Sequence, residues 1–136
     1  MDGRFDTRRR LVLLTAQLSG PTATATVTLA VDTGAARSVI RPSLLLSVGC
    51  DPSRSASHIR VVSATGTERA PVVRVDHLLC AGTQRGPLWV AAHDLPSRFD
   101  GDGLLGLDFI RPGPLSIDFI RGRVFFSPRR WWRLWR

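Results

Sequence analysis

The chain has 136 residues, 43% of them hydrophobic and 22% charged, which is typical of one globular domain and too short for two full-sized ones. No apolar run approaches the ~20 residues of a membrane span, and Cys50 and Cys80 stand in no metal-ligand pattern, so we expect both to be small buried residues. All nineteen positive charges are arginine and the formal net charge is +8. They concentrate near the two ends of the chain, so charge is weak evidence for a nucleic-acid partner.

The N-terminal segment, residues 1–9, is predicted to be a basic tail. Its last arginines and the apolar residues after them faintly resemble a secretory signal. Thr15 and Gln17 interrupt the apolar run after about four residues, too early for such a signal. We therefore expect a basic tail followed by a first strand, and a cytoplasmic location.

The next segments, residues 10–19 and 24–31, predict a hairpin. Both are rich in Val, Leu and Thr, and a Ser-Gly-Pro turn separates them. In the second segment apolar side chains alternate with small polar ones, the period of a half-buried strand. This strand leads directly into Asp32-Thr33-Gly34.

The rest of the chain predicts short elements separated by turns. They are a strand over 38–40, a helical turn over 42–48, a hairpin from 58–64 and 68–79, a strand over 88–92, a polar loop over 97–102, a helical turn over 107–110 and a hairpin from 115–120 and 123–127. With eight or nine short strands and almost no helix, the fold class is all-β.

One short motif carries chemistry. Asp32 ends an apolar strand and is followed by Thr33, Gly34 and Ala35, which places an acid on a tight loop whose backbone can approach its surroundings closely. A single Asp-Thr-Gly is weak evidence, because an Asp-Gly neighbourhood usually only makes a turn. Here it is followed by a short strand, then by a Gly-tipped hairpin, and later by two leucines and a glycine.

That order resembles the retropepsin-like aspartic proteases. The matching segments are Val31 to Ala35, Ser38 to Ile40, Ala64 to Gly66 and Leu104 to Phe109. The resemblance covers residues 10–127 and implies an acid protease half-barrel with a flap hairpin and one short helix. Residues 1–9 and 128–136 would then be flanking tails.

The resemblance also implies the chemistry and the assembly. Aspartic proteases hold two carboxylates around one water, and the pair shares a proton because like charges so close cannot both ionise. This chain has one Asp-Thr-Gly motif and half the length of a two-lobed enzyme. A homodimer is therefore implied, an aspartic endopeptidase in which Asp32 of each chain acts on peptide or protein substrates without metal or organic cofactor.

The family pattern assigns a role to each matching residue. Asp32 would be the general acid and base, Thr33 would interlock with its counterpart across the dimer, and Gly34 would bring its backbone to the carboxylate. Ala35 would contact substrate. Ala64, Thr65 and Gly66 would form the flap tip that closes over the peptide, although a simple hairpin turn is the alternative for Gly66.

Other residues would support the site or tune it. Leu104, Leu105 and Gly106 would pack beneath the Asp32 loop without touching substrate. Arg37 would line a side wall of the cleft and favour acidic or polar substrate side chains, with an ordinary exposed arginine as the alternative. Asp108 and Asp118 are expected to be structural.

Two positions depart from the viral members of the family. Viral enzymes often carry an acidic residue after Asp-Thr-Gly-Ala and an arginine after the later glycine, where this chain has Ala36 and Leu107. Both halves of that pair are absent together. The sequence therefore looks more like the cellular branch, and viral substrate preferences do not transfer.

The last residues offer a different class of function. Residues 129–136 alternate arginine with tryptophan, which suits an anionic membrane surface or stacking on single-stranded nucleic acid. A tail without such a role is the alternative. The rival to an enzyme is thus a non-catalytic retropepsin-fold module that binds peptide or assembles partners, with a basic tail for membrane or nucleic acid.

Overall fold

The computed structural model describes residues 3–63 and 65–126, apart from the side chain of Ser63. Within that part of the chain there are eleven strands, two short α-helices and one turn of 3-10 helix. The elements are β1 (Leu13–Ser19), β2 (Thr24–Val31), β3 (Val39–Ile40), α1 (Pro42–Ser47), the 3-10 turn (Pro52–Arg54), β4 (Ser57–Ser63), β5 (Gly66–Val75), β6 (His77–Cys80), β7 (Thr83–Arg85), β8 (Leu88–Ala92), β9 (Gly103–Leu105), α2 (Leu107–Ile110), β10 (Leu115–Asp118) and β11 (Arg123–Phe126).

Nine of these strands form one curled half-barrel sheet. Their order is β4-β5-β8-β3-β9-β2-β1-β6-β7, and β10 and β11 form a separate two-stranded hairpin. β2 pairs antiparallel with β1 and parallel with β9. The strand that delivers Asp32 is therefore held on both sides.

The core lies inside the curl of this sheet. Alternation along the strands buries one face, so that Leu14, Leu18 and Leu29 have no exposed surface. Phe109 of α2 is also fully buried and packs edge to face against Phe126 of β11, with ring centroids 5.2 Å apart. The short helix after β9 thus fastens the last hairpin to the core.

The all-β prediction is confirmed, and the structure differs from it in detail. The predicted run 68–79 divides at Asp76, whose backbone N–H donates to Ser19 O at 2.9 Å. The chain turns there, and β6 leaves β5 to pair with β1. β7, β9 and the 3-10 turn, each of three residues, were not predicted. The described residues contain two α-helices, whereas the predicted fold had one short helix.

Part of the predicted basic tail, residues 1–9, forms backbone hydrogen bonds with the last hairpin. Phe5 N donates to Gly122 O at 2.9 Å, and Val124 N donates to Gly3 O at 2.7 Å. These hydrogen bonds join the start of the described chain to β11 and to the turn that precedes it. The Arg/Trp segment, residues 129–136, lies outside the described residues, so its predicted membrane or nucleic-acid contact stays a prediction. In the described part, no helix is long and apolar enough to cross a bilayer.

Both cysteines are buried, as expected, and both are free thiols; Cys50 Sγ donates to Arg74 O at 3.4 Å. Burial raises the pKa of the Cys80 thiol to about 12, and burial is also the main cause that raises the pKa of Cys50. The reactive thiolate is therefore scarce at neutral pH. We expect neither thiol to react with iodoacetamide at pH 7.5 in the native protein and both to react in denaturant, as read by mass spectrometry. Rapid native labelling of Cys80 would contradict this packing.

Candidate active site

The loop that follows β2 presents Asp32. The Asp32 N–H donates to Leu105 O at 2.9 Å, and Ala35 N donates back to Asp32 O at 3.2 Å, which closes a tight turn. Gly34 N donates to Asp32 Oδ1 at 2.9 Å. A Cβ on Gly34 would lie 3.2 Å from that same oxygen, so glycine gives the amide its close approach.

The Asp32 loop lies at the protein surface. Asp32 and Ala35 are half-buried, and Thr33 and Gly34 are exposed. One carboxylate oxygen is already oriented by a backbone donor, and the carboxylate remains accessible. The predicted interlock of Thr33 requires a second chain and stays a prediction.

The segment Leu104-Leu105-Gly106 lies beneath this loop. β9 pairs with β2 through Val31 opposite Leu105, and with β3 through Val39 opposite Leu104. Leu105 is fully buried. A Cβ on Gly106 would lie 2.7 Å from Ala35 O, so only glycine lets these two backbone segments touch.

Ser38 and Asp108 connect the Asp32 loop to α2 through hydrogen bonds that were not predicted from the sequence. Ser38 is fully buried; its hydroxyl donates to Asp108 Oδ1 at 2.7 Å and accepts from Gly106 N at 2.9 Å. Ser38 N donates to Asp108 Oδ2 at 3.0 Å, and Phe109 N donates to Asp108 Oδ1 at 2.9 Å. The two residues are 70 positions apart, so no local pattern could have paired them. Asp108 is structural, as expected.

Asp118 is also structural. Its Oδ1 accepts from the backbone N–H groups of Ile120 and Arg121, both at 2.9 Å. These hydrogen bonds, that from Arg121 above all, hold the pKa of Asp118 below its usual range. The carboxylate stabilises the turn between β10 and β11.

The flap is the hairpin of β4 and β5. Ser63 pairs with Gly66 in the last ladder pair before the tip. Gly66 has φ +135°, a conformation that favours glycine, and both Thr65 and Gly66 are exposed. Val62 near the tip is 82% exposed. Ala64, the third predicted tip residue, lies outside the described residues.

A side-chain contact joins the flap to the body of the protein. His93 Nε2 lies 2.8 Å from Glu68 Oε2, and Glu68 belongs to the flap strand β5. A cavity of about 520 Å³ lies beside the pair, between Thr65 and the chain that follows β8. The two partners are 25 positions apart, so no local pattern in the sequence indicates this contact.

Arg37 follows the Asp32 loop, and its side chain extends to β8. Its Nη1 donates to Trp89 O at 2.7 Å. With His58 and Trp89 it lines a cavity of about 400 Å³ between the base of the flap and β8. Its guanidinium is thus held beside this cavity by an exposed hydrogen bond.

Comparisons with known proteins agree with this geometry. A model of the family described as "Aspartyl protease" matches residues 14–109. A retropepsin-like aspartic protease from Rickettsia conorii has a similar structure, with a TM-score of 0.60, 17% identity and coverage of 78% of this chain and 75% of that one. The protease of Simian Foamy Virus (mac) is also similar, with a TM-score of 0.48, 17% identity and coverage of 73% of this chain and 91% of that one. A comparison with curated proteins gave no match.

The fold and the Asp32 loop define the class as the retropepsin-like aspartic proteases. The matched residues run from β1 to the middle of α2 and make up more than half of the chain. The chain belongs to the aspartyl protease family. The similarity to the Rickettsia structure shows the shared fold.

Proposed function

We propose that this protein is a homodimeric aspartic endopeptidase whose two Asp32 carboxylates meet at the dimer axis. The observation that carries the proposal is the Asp32 loop, which presents one accessible carboxylate. Gly34 N donates to this carboxylate at 2.9 Å, and the pairing of β2 with β9 supports the loop. A single carboxylate cannot serve as base and acid in the same step. A two-fold axis through the loop supplies the second.

In the proposed mechanism the two carboxylates share one proton and hold one water. The ionised Asp32 takes a proton from the water as its oxygen bonds to the peptide carbonyl carbon, and the protonated Asp32 of the other chain gives its proton to the carbonyl oxygen. From the resulting tetrahedral diol, the Asp32 that took the proton from water gives it to the amide nitrogen, the other Asp32 takes a hydroxyl proton, and the C–N bond breaks. The pair then again holds one proton, as at the start. The products are one carboxylic acid and one amine.

The flap supports peptide as the substrate class. A hairpin with an exposed tip can close over an extended peptide and offer backbone hydrogen bonds to it. The Glu68–His93 contact holds the flap strand near the chain after β8. Closure would also exclude bulk water from the reacting atoms.

Arg37 supports a preference for acidic or polar substrate side chains next to its cavity. We expect Arg37→Ala to reduce cleavage of acidic peptides several-fold and to leave cleavage of neutral peptides within about twofold, since the exposed ion pair it would make is worth at most about 1 kcal/mol. The measurement is kcat/KM for matched acidic and neutral peptides. An unchanged ratio would show that Arg37 only braces Trp89.

The proposed function is tested with an unbiased peptide library from pH 3 to pH 8. The protein is used at a concentration where sedimentation shows a dimer. Cleavage that needs Asp32 and the dimer would support the proposal. No cleavage from a confirmed dimer would overturn it and favour the non-catalytic binding module.

A further inference from the structure

A groove lined by arginines lies beside β1, and the proposed function does not use it. It is lined by four arginines, three apolar residues and one carboxylate: Arg8, Arg9, Arg10, Arg98, Leu11, Leu13, Phe99 and Asp100. The cavity, which we call the arginine groove, measures about 410 Å³. Two parts of the chain far apart in sequence therefore meet to build one cationic surface with an apolar base.

The pairing of β1 with β2 places the arginine groove next to Asp32. Leu13 lies opposite Ala30, and Val31 N donates to Val12 O at 3.0 Å, which extends the pairing by one residue. Opposite residues of an antiparallel pair share a face, and residues two apart along a strand share it too. Leu13, which lines the groove, therefore shares a sheet face with Ala30, and Ala30 lies two residues, or about 7 Å along the chain, before Asp32.

The charges of the arginine groove are incompletely balanced. Arg8 is paired with Asp6 at 3.0 Å and Arg9 with Asp100 at 3.2 Å, and both pairs are exposed. Among the described residues, Arg10 and Arg98 have no ion-pair partner. Four arginines against two carboxylates leave two positive charges in excess. The exposed pairs are weak enough to exchange partners with an incoming carboxylate.

We propose that the arginine groove binds an acidic segment of the substrate polypeptide, in which carboxylates meet Arg10 and Arg98 and an apolar side chain rests on Leu11, Leu13 and Phe99. This inference rests on the proposed function and names its substrate class. Charge complementarity and the position of the groove near the end of β2 support this assignment. An extended peptide lying over Asp32 spans about 3.3 Å per residue, so a residue two or three places from the cleaved bond reaches the groove.

The first test measures binding without catalysis. The full chain carrying Asp32→Asn is titrated against a fluorescein-labelled peptide of alternating glutamate and leucine, and against the same peptide with glutamine in place of glutamate. We expect the glutamate peptide to bind better, and Arg10→Gln with Arg98→Gln to raise its Kd about fivefold at low salt. The glutamine peptide should change less than twofold.

A matched control removes the same charge elsewhere. Arg54→Gln with Arg111→Gln replaces two exposed arginines outside the groove and should leave the Kd within twofold. An equal loss in this control would mean a general attraction to a basic protein and would overturn the inference. Equal binding of both peptides would overturn it, and so would displacement of the peptide by a short oligonucleotide at lower concentration than by unlabelled acidic peptide.

Cleavage by the protein with Asp32 intact separates this inference from the proposed function. If Asp32-dependent cleavage occurs and acidic residues near the cut are enriched only while Arg10 and Arg98 are present, both stand. Cleavage without that enrichment overturns the inference alone. Absence of cleavage, with selective binding of the glutamate peptide retained, overturns the proposed function and leaves the groove as an acidic-peptide site.

Discussion

Replacing Asp32 by asparagine is expected to abolish peptide hydrolysis. Asparagine fills nearly the same volume and its side-chain oxygen can still accept from Gly34 N, the donor that lies 2.9 Å away in the native protein. It can neither take a proton from water nor share one with a second carboxylate. We expect kcat to fall by at least a factor of about 1,000, because the general acid and base are lost together. Cleavage of a fluorogenic peptide measures the loss.

The same variant must keep its fold and assembly for that result to be informative. Asp32 is half-buried, and within residues 3–63 and 65–126 its carboxylate accepts a hydrogen bond only from the exposed Gly34 N. Sedimentation should therefore give the same dimer as the unmodified chain, and the unfolding midpoint should move little. Residual Asp32-independent cleavage would point to a contaminating protease or a different catalytic group. An intact Asp32→Asn dimer with undiminished turnover would overturn the proposed mechanism.

The second large effect is expected in stability. Ser38→Ala removes the hydroxyl that accepts from Gly106 N and donates to Asp108 Oδ1, and both bonds are short. An alanine leaves a buried N–H unsatisfied and takes a donor from a carboxylate, which costs about 2–4 kcal/mol in the free energy of unfolding. That is a large part of the stability of a small domain. Urea unfolding followed by circular dichroism measures it.

Two further variants make this stability test specific. Ser47→Ala removes an exposed hydroxyl that only donates to Leu44 O at 2.6 Å, so its cost should stay within about 0.5 kcal/mol. Asp108→Asn keeps the shape but weakens the charge-assisted bonds and should be destabilising in the same direction as Ser38→Ala. If Ser38→Ala cost no more than Ser47→Ala, the buried connection between β9, α2 and the Asp32 loop would not contribute to stability.

The positions of the main elements could be predicted from sequence because their signals are local. Alternating Val and Thr over residues 24–31 predicted β2 at its observed bounds. Pro42 and Gly49 delimited α1 to within a residue or two, since proline starts a helix readily and Gly49, at φ +90°, takes a conformation suited to ending one. The Asp-Thr-Gly motif marked Asp32 for the same reason: its carboxylate, turn and glycine are neighbours in the chain.

The sequence by itself therefore determined the all-β class, the Asp32 loop and the flap hairpin. The order of these segments along the chain also indicated the aspartic protease family. Only the tertiary structure decided which distant segments meet: Ser38 with Asp108, Glu68 with His93, and the arginines near residue 9 with Arg98. The turn at Asp76 and the pairing of β9 between β2 and β3 belong to the same category. Such contacts depend on how strands order themselves in a sheet, and strand order is set by the packing of the whole domain and not by any local run of residues.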